Sequence, residues 1–179
     1  MWDRLIFKNS KAALGGRVRF MVTGSAPIST DVLKFLKICF CCPIVEGYGQ
    51  TENCACAFLT VPQDGDLGHV GGPMPCLEFM LEEIPEMNYL STDKDEEGRE
   101  APRGEICVRG TNVFQGYYKN PEETAAAFDA EGWLHSGDIG VRMASNGALK
   151  IIDRKKNLFK LAQGEYIAVE KCESICSMS

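Results

Sequence analysis

Between Gly132 and Lys156 the sequence GWLHSGD is followed by IGVRMASNGALKIIDRKK, and both ends of this stretch carry groups suited to a nucleoside. Asp138 stands behind a glycine, and a carboxylate accepts both hydroxyl hydrogens of a ribose. At the other end are Asp153 and Arg154 with lysines beside them, and an arginine fork grips ribose or phosphate oxygens. Two strands joined by a turn bring both ends to one nucleoside. Taken by itself, the stretch also fits a surface hairpin with charged ends.

A second loop, Gly47-Tyr48-Gly49-Gln50-Thr51-Glu52, gathers several functional types in six positions. Its glycines allow close approach of backbone to a flat ligand, and Tyr48 offers a ring to a base. Thr51 offers a hydroxyl and an amide to a phosphate, and Glu52 offers a carboxylate to Mg²⁺. Alone it is also compatible with an ordinary turn opening a helix. A third loop, Gly24-Ser25-Ala26-Pro27, is small and rigid.

These loops need elements to place them. RVRFMVT (17–23) alternates and predicts a strand, and PIVEGYG (43–49) predicts another. Between them Ser29 or Thr30 caps an amphipathic helix running to about Phe40, with Val32, Leu33, Phe35, Leu36 and Cys39 on or beside one face. In a β-α-β unit the loops after the strands' C-terminal ends face one crevice. Beyond Cys54 the helical pattern fades. LEFMLEEI (77–84) and GEICVRG (104–110) predict short strands of a twisted, partly closed antiparallel sheet or barrel. Asn146-Gly147 predicts a two-residue hairpin turn. Pro121 opens a short helix capped by Asn120, and another helix is expected from about Ala168.

The formal net charge is -6, and acid gathers between Glu82 and Glu100, which argues against a nucleic-acid surface. That acidic run lacks the spacing of a calcium loop and is expected to be a solvated excursion. No signal-peptide pattern is found, and no run approaches the roughly 20 apolar residues of a membrane span. The nine cysteines are odd in number, without paired CxxC spacing, and only His69 and His135 are available as imidazole partners. They predict reduced, mostly buried thiols in an intracellular compartment, none of them catalytic, and no structural zinc.

Along its length the chain resembles the adenylate-forming superfamily, on VTGSAPIS, EGYGQTE, GEICVRG with FQGYYKNPEET, GWLHSGD and IIDRKKNLFKLAQGEYIAVEK in that order. Within it the chain is most similar to eukaryotic long-chain fatty acyl-CoA synthetases, on LGGRVRFMVTGSAPIS, GHVGGPMPC, EMNYL, NVFQGYYKNPEET and IIDRKKNLFKLAQGEYIA. The resemblance implies an α/β plus β fold. Residues 1–152 would end a large N-terminal AMP-binding domain, with a sheet-and-helix part at 1–75 and a distorted antiparallel barrel at 76–152. Residues 153–179 would form the hinge and the start of a small C-terminal domain.

The resemblance also implies roles. Gly24, Ser25, Ala26 and Pro27 would line the adenine and acyl pocket, Gly47, Tyr48 and Gly49 would bind the adenine, and Thr51 would contact the α-phosphate. Glu52 would hold Mg²⁺, Asp138 and Arg154 would hold the ribose from two sides, and Lys160 with the Gly164-Glu165 turn would swing toward the site for a second step. The implied reaction joins a long-chain fatty acid to ATP as acyl-AMP, then passes the acyl group to coenzyme A. Ser136 stands where the family has Thr, the segment 63–67 lacks a family tryptophan, and Val169 replaces a proline.

The family's phosphate loop and late lysine are not found, so a fragment without ligase activity of its own is expected, from a parent on the cytosolic face of the endoplasmic reticulum, mitochondrial outer membrane or peroxisome. Membrane association would come only through parts absent here. The alternatives are a medium-chain synthetase, a peptide-synthetase adenylation domain, or a non-catalytic fragment that binds nucleotide or a partner.

Overall fold

The computed structural model describes residues 6–155 with their side chains, and beyond them the backbone of two short strands, Leu158–Lys160 and Tyr166–Ala168. After a short helix α1 (Lys8–Ala13), the chain enters the expected β-α-β unit: β1 (Met21–Thr23), α2 (Thr30–Phe40) and β2 (Ile44–Tyr48). β1 and β2 pair in parallel, Thr23 opposite Glu46. The strand predicted at 17–23 forms only over its last three residues. Among the described residues β1 has one neighbour, and that neighbour begins at Ile44, so residues ahead of Met21 find no ladder there to join.

Ser29 caps α2 as expected, its Oγ accepting the Val32 amide at 3.2 Å. The helix ends on Cys41 in the left-handed region, φ 50°. Its apolar face is not a core face among the described residues. Only Leu33 is buried, while Phe35 is 64% exposed and Val32 and Ile38 are exposed as well.

β3 (Phe58–Leu59) extends this sheet antiparallel to β2, and β4 (Gly72–Pro73) pairs antiparallel to β3. A second sheet follows in chain order: β5 (Leu77–Glu82), β6 (Arg103–Gly110), β7 (Leu134–Arg142) and β8 (Leu149–Arg154), every pair antiparallel. It is an open four-stranded meander, and this is the form that the barrel-like part takes here. Phe58 of the first sheet and Leu77, Ile106, Val108, Leu134 and Leu149 of the second form one core. Burying each such side chain stabilises by about 1.5–3 kcal/mol.

The turn between β7 and β8 differs from the predicted two-residue hairpin. Met143 and Ala148 close a four-residue loop, Met143 N donating to Ala148 O at 2.8 Å. Gly147 is left-handed, φ 72°, but Asn146 is not, so Asn146 serves through its side chain, whose Oδ1 accepts the Ala148 amide at 3.0 Å. A two-residue turn of the type expected needs positive φ at both positions. Asn120 caps α3 (Pro121–Ala127) as expected, accepting the Glu123 amide at 3.2 Å. The acidic run lies at the surface and is pinned by Arg99 on Asp95 and Glu97 and by Arg103 on Asp93.

No helix among the described residues is long and apolar enough to cross a membrane. The seven described cysteines form no disulfide, but they are not mostly buried: Cys42 and Cys107 are, whereas Cys41, Cys54 and Cys76 are exposed. Cys41 and Cys54 occupy left-handed turn positions at the ends of helical segments, where side chains face solvent. The last two strands, β9 (Leu158–Lys160) and β10 (Tyr166–Ala168), pair with each other. The Gly164-Glu165 turn, Val169, the helix expected from Ala168, Cys172 and Cys176 lie outside the described residues.

Candidate nucleotide site

The parallel pairing of β1 and β2 sets the two glycine loops side by side. A Cβ on Gly24 would lie 2.9 Å from the carbonyl oxygen of Gly47, closer than real Cβ atoms come, so the loops touch backbone to backbone. Ser25 follows in the left-handed region, φ 68°, with Ala26 and Pro27 exposed after it. Gly49 packs equally closely, on the Ala55 carbonyl and the Asn53 side chain. Thr51 opens a 3-10 turn (Thr51–Asn53) and is exposed. The turn is closed by the Asn53 side chain, which accepts the Gln50 amide at 2.8 Å.

β7 reaches this crevice through an irregularity in its pairing with β6. Glu105 faces Ile139 and Cys107 faces His135, so Ser136, Gly137 and Asp138 together stand opposite the single Ile106. Such bulges bend a strand and re-aim a side chain. Gly137 supplies the positive φ, 73°, and Ser136 Oγ accepts the Asp138 amide at 3.1 Å, so the serine keeps a hydroxyl at work there. Glu105, only 2% exposed, holds the bulge from behind: its Oε1 accepts the Gly137 amide at 3.0 Å and its Oε2 accepts from Lys155 Nζ at 2.7 Å.

The bulge delivers Asp138, 5% exposed, to the end of β2. Its Oδ2 accepts from Tyr48 Oη at 2.7 Å and from Gln50 Nε2 at 2.8 Å, and its Oδ1 lies 3.2 Å from Arg154 Nε. Asp138 and Arg154 are direct cross-strand partners, so the two ends of the β7–β8 stretch do converge. Gln50 Nε2 also donates to Ser136 O at 2.9 Å, tying the loop after β2 to the bulge. Burial, and next the charge of Asp138, push the Tyr48 hydroxyl far above its usual range, so it remains a proton donor at any ordinary pH.

A carboxylate has about four acceptor positions. Tyr48 and Gln50 occupy those of Oδ2 and Arg154 one of Oδ1, which leaves a single position for a ribose hydroxyl. The sequence reading gave Asp138 both hydroxyls; a second requires Arg154 to yield its place. Arg154 is the exposed member of the pair, and its guanidinium has further N–H donors to offer.

Glu52 turns elsewhere. Its Oε1 accepts from Tyr117 Oη at 2.7 Å, a bond that, more than burial, pushes the Tyr117 hydroxyl up to about 12. Its second carboxylate oxygen remains for a cation, so a magnesium role fits the donor that is present. Lys160 is on β9, with its side chain outside the described residues. The structure thus brings together Gly24 with Gly47, and Tyr48 with Asp138 and Arg154. Gln50 and Glu105 carried no assigned role in the sequence reading. A glutamine within that loop and a glutamate at the start of a short predicted strand read as polar surface until the register places them.

The family model described as "AMP-binding enzyme" matches residues 1–118. The chain is 56% identical over 175 residues to a human protein, "Long-chain-fatty-acid--CoA ligase 1", covering 98% of this chain and 24% of that protein. It is 53% identical to "Fatty acyl-CoA synthetase A" of Dictyostelium discoideum, with 98% and 25% covered. The chain therefore spans about a quarter of the length of these relatives. Among solved structures, the A domain of carboxylic acid reductase from Segniliparus rugosus, in complex with AMP and a co-purified carboxylic acid, matches with a TM-score of 0.75 and 32% identity, over 96% of this chain and 25% of that one.

Proposed function

Given that the chain belongs to the AMP-binding enzyme family, we propose that it is the ribose- and adenine-binding part of an ATP-dependent ligase that activates a long-chain fatty acid as acyl-AMP and transfers the acyl group to coenzyme A. The observation that carries this reading is the Asp138 carboxylate, brought by a bulge to the end of β2 and fixed there by Tyr48, Gln50 and Arg154. A carboxylate so anchored presents one free acceptor position in a defined direction, which suits a ribose hydroxyl.

In this reading Asp138 accepts from one ribose hydroxyl and Arg154 donates to ribose or phosphate oxygens from the facing strand. Tyr48 presents its ring to adenine beside Gly47 and Gly49, and the Gly24 to Pro27 backbone forms the adjoining wall of the adenine and acyl pocket. Thr51 lies at the α-phosphate. Glu52 would hold Mg²⁺, which when bound neutralises phosphate charge during attack by the carboxylate. Lys160 would serve the later, thioester-forming step. The domain boundary is proposed at Asp153, in the last two residues of β8, with β9 and β10 beyond it forming a separate two-stranded sheet. An intracellular setting is supported by the likeness to "Long chain acyl-CoA synthetase 7, peroxisomal" of Arabidopsis thaliana.

Calorimetry with AMP, ATP and a non-hydrolysable acyl-adenylate analogue tests the site. Binding heat in the 179-residue chain that disappears in Asp138→Ala is expected; no heat, or equal heat in the variant, overturns the assignment. A pyrophosphate-exchange panel of fatty and amino acids on the whole protein tests the substrate class. Exchange with amino acids alone would replace the fatty acid by an amino acid.

A further inference from the structure

The face of the antiparallel sheet turned away from the core carries a second group of donors. Side chains alternate along a strand, so Glu105 and Cys107 point opposite to Ile106 and Val108, which enter the core. The ladder sets Glu82 of β5 across from Glu105 and His135 of β7 across from Cys107. One ligand atom each from Glu82, Cys107 and His135 lie within 4.8 Å of one another.

The two separations from His135 are those a tetrahedral ion needs. Zinc bonds of about 2.3 Å to sulfur and about 2.0–2.2 Å to nitrogen and oxygen set a sulfur and a nitrogen donor about 3.5 Å apart, and a nitrogen and an oxygen about 3.4 Å apart. His135 Nδ1 is 3.5 Å from Cys107 Sγ and 3.3 Å from Glu82 Oε2.

The far side of the ring matches as well. His135 Nε2 lies 3.8 Å from Asp129 Oδ2, longer than a hydrogen bond but on the side from which a carboxylate orients a metal-binding imidazole once the two draw together. Asp129 is itself fixed, accepting the Glu131 and Trp133 amides at 2.9 and 2.8 Å, and the Trp133 amide above all keeps its carboxyl below the usual range. With a proton on Nε2 facing Asp129, Nδ1 presents its lone pair toward the Glu82 carboxylate. Two acceptors 3.3 Å apart need a cation or a proton between them.

We propose that Glu82, Cys107 and His135 form a three-ligand Zn²⁺ site on the outer face of this sheet, with water in the fourth position and Asp129 as a positioning residue. Glu105 Oε2 is 3.6 Å from the same nitrogen but is engaged by Lys155, which keeps it for the bulge that carries Asp138. Glu82 is exposed and gives the ion its way in. As the sulfur–zinc bond forms, the Cys107 thiol proton leaves to the buffer. An open fourth position makes the ion exchangeable.

Titration of the 179-residue chain with Co²⁺, followed by its thiolate charge-transfer absorption, and with Zn²⁺ against a chelator, tests the site. The expected result is one equivalent bound with about one proton released, retained when every cysteine except Cys42 and Cys107 is changed to serine, and absent in Cys107→Ser. Glu82→Gln alters an exposed side chain and leaves the fold intact; at least tenfold weaker binding is expected. Asp129→Asn should weaken Zn²⁺ by about 10–100-fold while the cobalt–thiolate band persists at saturating metal. No thiolate band, a band that survives Cys107→Ser, or unchanged affinity in Glu82→Gln would overturn the proposal. A cluster held together by its own polar contacts, with no metal, is the state that such results would identify.

Discussion

At the scale of single residues, the site depends on what holds Asp138 as much as on Asp138. Gln50 donates to both Asp138 and Ser136 O, so Gln50→Leu removes two bonds and leaves a buried carboxylate oxygen short of a donor. AMP affinity by calorimetry should fall about 10- to 150-fold, in line with about 1.5–3 kcal/mol for a hydrogen bond to a charged group. Tyr48 adds a pH signature. Its hydroxyl holds its proton in the folded state well above the usual value near 10, while the unfolded chain releases it there. The unfolded state then binds fewer protons, so the stability this residue contributes is fully present below about pH 10 and declines as pH rises past it, by up to about 1.4 kcal/mol per pH unit. In Tyr48→Phe, urea midpoints measured from pH 9 to 11 should decline less steeply. Tyr48 and Asp138 were legible in the sequence because a ring and a carboxylate beside glycines are distinctive types. Gln50 and Glu105 were not, because their value comes from partners 86 to 88 and 32 residues away.

At the scale of elements, the bulge in β7 is the decisive device. Gly137 has open space where a Cβ would go but holds φ at 73°, so Gly137→Ala pays only the left-handed penalty, about 1–2 kcal/mol. A drop of that size in chemical denaturation, together with weaker AMP binding, is expected; a neutral substitution would mean the bulge relaxes without the glycine. The elements themselves were largely legible: the caps at Ser29 and Asn120, the parallel β1–β2 pair and the strands at 77–82 and 103–110 follow from capping chemistry and alternation. The length of β1, the four-residue turn at Asn146 and the three-for-one bulge were not. Each is decided by which neighbour a strand finds, and periodicity within one segment is silent about that.

At the scale of the whole molecule, apolar side chains remain outside on adjoining elements: Val22, 62% exposed, on β1, and Val32, Phe35 and Ile38 on α2. Exposed apolar surface of this kind promotes association. Concentration-dependent light scattering by the 179-residue chain is therefore expected, and Phe35→Glu should reduce it without altering AMP binding. The pattern of α2 announced an apolar face correctly; what covers that face was beyond the reach of periodicity. The bonds from Tyr48 and Gln50 to Asp138 also cross from one sheet to the other. The site is therefore a seam, and whatever settles on Asp138 clasps two sheets at once. Ligand occupancy should slow amide exchange in β2 and β7 together, because a filled crevice adds a further tie between sheets that already share an apolar core.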